Sequence, residues 1–85
     1  MNMPSTIEKI CGFVRDELIE DPNIELAVDQ DLLSTGHVDS MGIMRLITFL
    51  EEEFSIGVPP EDVTIDHFVS LEAIAGYVCQ RIGDG

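Results

Sequence analysis

The chain has 85 residues, enough for one modest hydrophobic core and too few for a catalytic cleft between two domains. Four Lys and Arg against 17 Asp and Glu give a net charge of −13, which repels nucleic acid and anionic lipid and attracts basic protein surfaces. Apolar residues make up 45% of the sequence, but no run approaches the roughly 18–20 residues of a membrane span, so membrane insertion is not expected either.

The first helix is predicted over residues 5–20. "STIE" fits a capping box, and Ile7, Ile10, Cys11, Val14 and Leu18 follow at helical spacing until Asp21-Pro22 stops them. The opening "MNMPSTIEKICGF" lacks the basic stretch and apolar run of a secretory signal, which points to the cytoplasm. Cys11 and Cys79 each fall in a helical pattern, and free, largely buried thiols are expected there.

Residues 23–39, "NIELAVDQDLLSTGHVD", show no sustained period. Ile24, Leu26, Leu32 and Leu33 are nonetheless apolar enough to pin a long, ordered loop against a core. A second helix is predicted over 40–54, capped by Asp39 or Ser40, with Ile43, Leu46, Ile47, Leu50 and Phe54 as its buried stripe. "SIGVPP" breaks the pattern, and Pro60 suits the first position of one short helix over 60–66. Ser70 caps a last helix, 70–82, in which Leu71, Ile74, Ala75, Val78 and Ile82 recur before Gly83 closes it. No useful period-two alternation appears, so the expected fold is an all-α bundle of three main helices and one short one. It forms a single domain over residues 1–85, and it is expected to be monomeric because no large apolar face is left over.

Candidate chemistries are few. His37, Asp39 and Ser40 lie too close in sequence to converge as a hydrolytic triad, and no G-x-S-x-G elbow is present. "DQDLLSTGHVDS" begins like a calcium loop but has Leu33 at the fifth position, Ser34 in place of the turn glycine and Ser40 in place of the bidentate glutamate. The Cys and His residues have no zinc-ligand spacing. No catalytic residue and no metal ligand is therefore assigned; His37 reads as a solvent-facing loop residue and His67 as part of an interhelical turn. Glu51, Glu52 and Glu53 are either a solvated face or a docking surface for a basic partner. Ser40 is either an ordinary cap or, if Asp39 caps the helix and Gly36 turns the segment outward, a free hydroxyl at a helix N-terminus suited to a phosphodiester.

From about Ile7 to Val78 the sequence resembles the acyl and peptidyl carrier proteins. The likeness centres on "GHVDSMGIMRLITFLEEEFSIGVPPEDV": glycine, two variable residues, Asp-Ser, an apolar residue, an amphipathic helix ending in acids and Phe, then a hydrophobic residue and Pro. The resemblance implies 4′-phosphopantetheine, taken from coenzyme A by a magnesium-dependent phosphopantetheinyl transferase and attached at Ser40. Asp39 is its neighbour in the motif, and Met41 stands where leucine is usual. It implies a non-catalytic carrier that holds acyl or aminoacyl groups as thioesters, loaded by a ligase or acyltransferase and used by downstream biosynthetic enzymes with basic docking surfaces. Docking would fall to Met41, Met44 and Arg45, with Glu51, Glu52, Glu61 and Asp62 steering. Fatty-acid carriers have acids where this chain has Gly42 and Arg45, and "DSMG" looks like the D-alanyl carriers, so a D-alanyl or other aminoacyl cargo is the alternative. A reading of another class is an unmodified acidic helical adaptor for a basic partner.

The crowding of 17 acids predicts self-repulsion that ions relieve. Thermal unfolding followed by circular dichroism is expected to shift upward in millimolar magnesium or moderate salt, and an unchanged curve would contradict this.

Overall fold

The computed structural model describes residues 3–21, 23–36 and 38–84. Helix α1 spans Met3–Phe13 and continues as a π-helical stretch, Val14–Ile19. It starts earlier than the capping box at Ser5 predicts. Pro4 sits in the first turn, where a missing N–H costs nothing, and Thr6 is fully buried inside the helix, so "STIE" is helix interior and not a cap. The helix stops because Glu20 turns left-handed (φ 60°) and its N–H closes on the Arg15 carbonyl; Pro22 lies outside the described residues.

The long loop belongs to the core. Leu32 is 1% exposed and Val38 3%, as deeply buried as the helical core residues. Backbone bonds tie the loop to the far end of the chain, Leu32 N–H to Val69 O at 2.8 Å and Glu72 N–H to Val28 O at 2.9 Å. The Asp31 carboxylate accepts the Ser34 and Leu33 N–H groups at 2.9 and 3.0 Å. These bonds, with that from the Ser34 side chain as the largest contribution, hold its carboxyl below the usual aspartate value. Gly36 supplies the left-handed turn (φ 78°) that leads into the next helix.

Helix α2, Ser40–Phe54, buries Leu46, Ile47, Leu50 and Phe54, with Ile43 half-buried beside them, and ends at the left-handed Ser55 (φ 55°). The single short helix expected over 60–66 is replaced by a 3-10 turn, Pro60–Asp62, and a separate helix α3, Ile65–Phe68. Between them Thr64 is extended (φ −126°, ψ 160°), a conformation β-branched residues favour, and this break lets Phe68 reach the core at 2% exposure. Helix α4 spans Leu71–Asp84. Ser70 caps it, its Oγ accepting the Ala73 N–H at 3.1 Å. Gly83 does not close this helix, because it takes no left-handed conformation and the helix runs through it.

Helix α1 packs along α4, and α3 and α2 lie against α4 as well, so Ile10 and Val14 meet Ile74 and Val78 in one core. Among the described residues there is no strand, and no helix is long and apolar enough to cross a membrane. Cys11 and Cys79 are free and half-buried, less enclosed than the sequence suggested. Leu32→Ala should destabilise the fold by about 2–5 kcal/mol, the loss typical of a helical core leucine. A denaturant midpoint within error of wild type would show that the loop is not part of the cooperative unit.

Candidate functional site at the start of helix α2

Asp39, extended (φ −101°, ψ −172°), is the N-cap of α2; its Oδ1 accepts the Gly42 N–H at 2.8 Å and its carbonyl accepts the Ile43 N–H at 2.9 Å. Of the two caps the sequence allowed, the carboxylate takes the role. Ser40 is thereby the first helical residue, exposed, and its hydroxyl makes no hydrogen bond among the described residues. Val38, two residues earlier, is buried, which fixes the direction from which the chain enters the helix.

Beside Ser40 lies an open hollow of about 370 Å³ between the loop, the first turns of α2 and the 63–68 segment. Leu33, Val38, Ile43, Val63, Ile65 and Phe68 make it apolar, and Asp39, Ser40 and Thr64 supply its polar edge. Its volume is at the lower end of small-ligand sites, roughly 300–1,000 Å³. Val63 (38%) and Ile65 (70%), which line it, are exposed, and so are Met41 (77%) and Met44 (63%) in the first turns of α2. The sequence left no large apolar side chain over after helix packing; the structure leaves these, Ile65 because the break at Thr64 turns it outward.

The sequence pattern described as "Phosphopantetheine attachment site" matches residues 8–78. The chain belongs to this family. A D-alanyl carrier protein of Lactococcus lactis subsp. cremoris is 35% identical over 75 residues, 88% of this chain and 85% of that one. A D-alanyl carrier protein of Abiotrophia defectiva is 28% identical over 67 residues, 79% of this chain and 85% of its own length. An acyl carrier protein of Thermosynechococcus vestitus is 32% identical over 62 residues, 73% and 75% of the two chains. A chain in a solved structure described as a crystal structure of an FAD-dependent dehydrogenase superposes with a TM-score of 0.73 at 22% identity, covering 80% of this chain and 96% of that one, which shows the fold alone. The protein is thus a carrier that tethers its cargo as a thioester on 4′-phosphopantetheine.

The carrier's other expected site residues divide into those that point outward and those already engaged. Met41 and Met44 are exposed, so core packing does not account for Met44. Arg45 is exposed too, but its Nη1 donates to the Glu17 carbonyl at 3.0 Å and its Nη2 lies 3.4 Å from the Glu17 carboxylate, which ties α2 to the end of α1. Glu52 and Glu61 are exposed. Glu51, also exposed, accepts the Val58 N–H at 3.1 Å, and Glu53 pairs with Lys9 at 3.3 Å. Asp62 is more enclosed than these: half-buried, it accepts the Tyr77 hydroxyl at 2.7 Å.

His67 is a correction, since it lies in α3 and not in a turn. Half-buried, its ring packs on Tyr77 at 4.7 Å, and its Nδ1 donates to the Asp62 carbonyl at 2.8 Å, so the proton sits on Nδ1 in the neutral ring. Nothing in the spacing of Asp62, His67 and Tyr77 signals this cluster, which forms only when α4 packs under α3. His37 lies outside the described residues. No group of three or more His, Cys, Asp or Glu converges on a metal site among the described residues.

Burial, and then the bond and charge of Asp62, push the Tyr77 phenol up to about 12. The neutral phenol is the favoured form, so its contribution to stability is complete below pH 10 and is lost as pH rises towards 12. Absorbance titration of this sole tyrosine should find its midpoint well above 10 in wild type, and lower in Asp62→Asn. A wild-type midpoint at 10 would refute the burial and the bond.

Proposed function

We propose that Ser40 is the attachment point of phosphopantetheine and that the chain acts as a single carrier domain modified by a phosphopantetheinyl transferase. The observation that carries this is the exposed, unbonded Ser40 hydroxyl at the first helical position, released from capping by Asp39. In the transfer, the Ser40 Oγ–phosphorus bond forms as the phosphorus–oxygen bond within the pyrophosphate of coenzyme A breaks, and adenosine 3′,5′-bisphosphate leaves. Asp39 is held by the Gly42 N–H, so the base that takes the Ser40 proton comes from the transferase, together with its magnesium. The α2 N-terminus then faces the new phosphodiester with the positive end of its dipole, worth about 0.3–1 kcal/mol at an exposed position. When attached, the group supplies a thiol at the end of a long arm, and the apolar hollow beside Ser40 offers cover to its uncharged part or to a cargo.

Partners meet the Met41–Met44 face, methionine being adaptable enough for several enzymes in turn, and Glu51, Glu52 and Glu61 steer their basic surfaces. A loading ligase or acyltransferase and downstream biosynthetic enzymes act on this same face. An aminoacyl cargo of the D-alanyl kind is favoured by the D-alanyl carrier relatives at 28% and 35% identity and by Gly42 in the place of an acid. The two free thiols support a cytoplasmic site of action. No observation favours an unmodified adaptor.

The test is an intact mass before and after incubation with coenzyme A, magnesium and a broad-specificity transferase. One phosphopantetheine is expected on wild type and none on Ser40→Ala; equal gain on both, or on neither, would overturn the assignment. Offering D-alanine and a fatty acid, each with its activating ligase, to the modified protein then distinguishes the cargoes.

A further inference from the structure

Gly12 stands inside α1, where glycine weakens a helix relative to alanine because its backbone has more freedom to lose. Nothing in this chain accounts for it. Its φ is not positive, and a Cβ at this position would meet no atom within 4 Å. The room it leaves belongs to a shallow hollow of about 320 Å³ between α1 and the middle of α2. Beside it lies a second hollow of about 300 Å³, and the two share one floor, the rings of Phe13 and Phe49, stacked at 4.3 Å and only half-buried. Neither hollow shares a lining residue with the one beside Ser40.

Five acids surround this floor. Glu53 and Glu17 each hold one of the two cations present, Lys9 and Arg45. Glu8, Asp16 and Glu52 are exposed and have no ion pair or hydrogen bond among the described residues. Lys9 shows which chemistry suits the groove. Its ammonium lies 3.3 Å from the Glu53 carboxylate and 5.8 Å from the centre of the Phe54 ring, a cation held between an acid and an aromatic face.

We infer that this groove between α1 and α2 is a docking surface for an arginine-bearing segment of a partner protein. Arginine matches each part of it. Its planar guanidinium stacks on aromatic rings and pairs with a carboxylate through two parallel N–H groups, whereas lysine offers a strongly hydrated point charge. The stem can lie on the Phe13 and Phe49 rings while the head reaches Glu8 or Asp16, which flank Gly12 about one turn away on either side. The side chain that Gly12 lacks would fill the space between those two acids. A second copy of this chain is a poor occupant, because each would bring a net charge of −13.

The test is a 15N NMR titration of the full chain with the peptide acetyl-Ala-Leu-Arg-Leu-Ala-amide, and with versions carrying lysine or citrulline in place of arginine. Saturable shifts are expected at the amides of Gly12, Phe13, Thr48 and Phe49, with affinity lower by about threefold or more for the lysine peptide and no saturation with citrulline. Gly12→Leu fills the gap with a good helix former, so it should raise Tm by a few degrees and weaken binding of the arginine peptide by about tenfold. Binding lost while stability is gained cannot come from unfolding. Gly76→Ala, where a Cβ is equally unopposed in α4, should raise Tm and leave the affinity unchanged. Unsaturable shifts spread over the acidic surface, equal affinity for the lysine peptide, or wild-type affinity in Gly12→Leu would each overturn the inference. Ser40→Ala should titrate as wild type does, so these outcomes neither need nor touch the assignment of Ser40.

Discussion

One hydrogen bond organises the functional end of this molecule, that from the Gly42 N–H to the Asp39 carboxylate at 2.8 Å. A helix start leaves backbone N–H groups without partners, and whichever side chain satisfies them is no longer available for chemistry. Here two adjacent residues could serve, and the structure assigns the cap to Asp39 because Val38, buried immediately before it, leads the chain in with Asp39 extended at the boundary. Ser40 falls one residue inside the helix, exposed. The division between an acid that caps and a hydroxyl left free follows from that single register.

The register depends in turn on the loop before it. The connection from Glu20 to Asp39, which has no helix or strand among its described residues, would ordinarily be a poor support for a reactive group, since loops open at low energetic cost. This one buries Leu32 and Val38 among the helices and is bonded through Leu32 to Val69, between α3 and α4, and through Val28 to Glu72 in the first turn of α4. The Arg45 bonds to the Glu17 carbonyl and carboxylate add a tie from the other side, between α2 and the end of α1. Ser40 is therefore presented by a rigid helix whose entry is held on both flanks. The tethered arm supplies the mobility that delivery of cargo needs, raising its effective concentration at a docked enzyme.

Electrostatics divide the carrier's surface. The early, exposed part of α2 presents Ser40, Met41, Met44 and an Arg45 already paired with Glu17, whereas Glu51, Glu52 and Glu53 begin about three turns after Ser40. The surface is thus apolar near the serine and negatively charged further along. Charge acts over about a Debye length, roughly 8–10 Å, whereas apolar surface acts only in contact.

The helical class, the core stripes of α2 and α4, the Ser70 cap and the start of α2 at Ser40 were legible because each is a short-range pattern: periodicity of 3.6 or a capping residue at a boundary. The start of α1 and the division of the 60–68 region were not, because Pro4 and Ser5 both signal a helix start and because the extended turn at Thr64 is set by Phe68 reaching the core. Whether Asp39 or Ser40 caps, whether Met44 is core or surface, and whether Asp62 is free or bound to Tyr77 each depend on what packs opposite, at separations in sequence that no local pattern spans. By itself, then, the sequence determined the helical class, the core faces of α2 and α4 and the position of Ser40 at the start of α2, all consequences of local spacing. The tertiary structure decided which side chains around that residue remain free to act, because freedom is what is left after distant segments have packed.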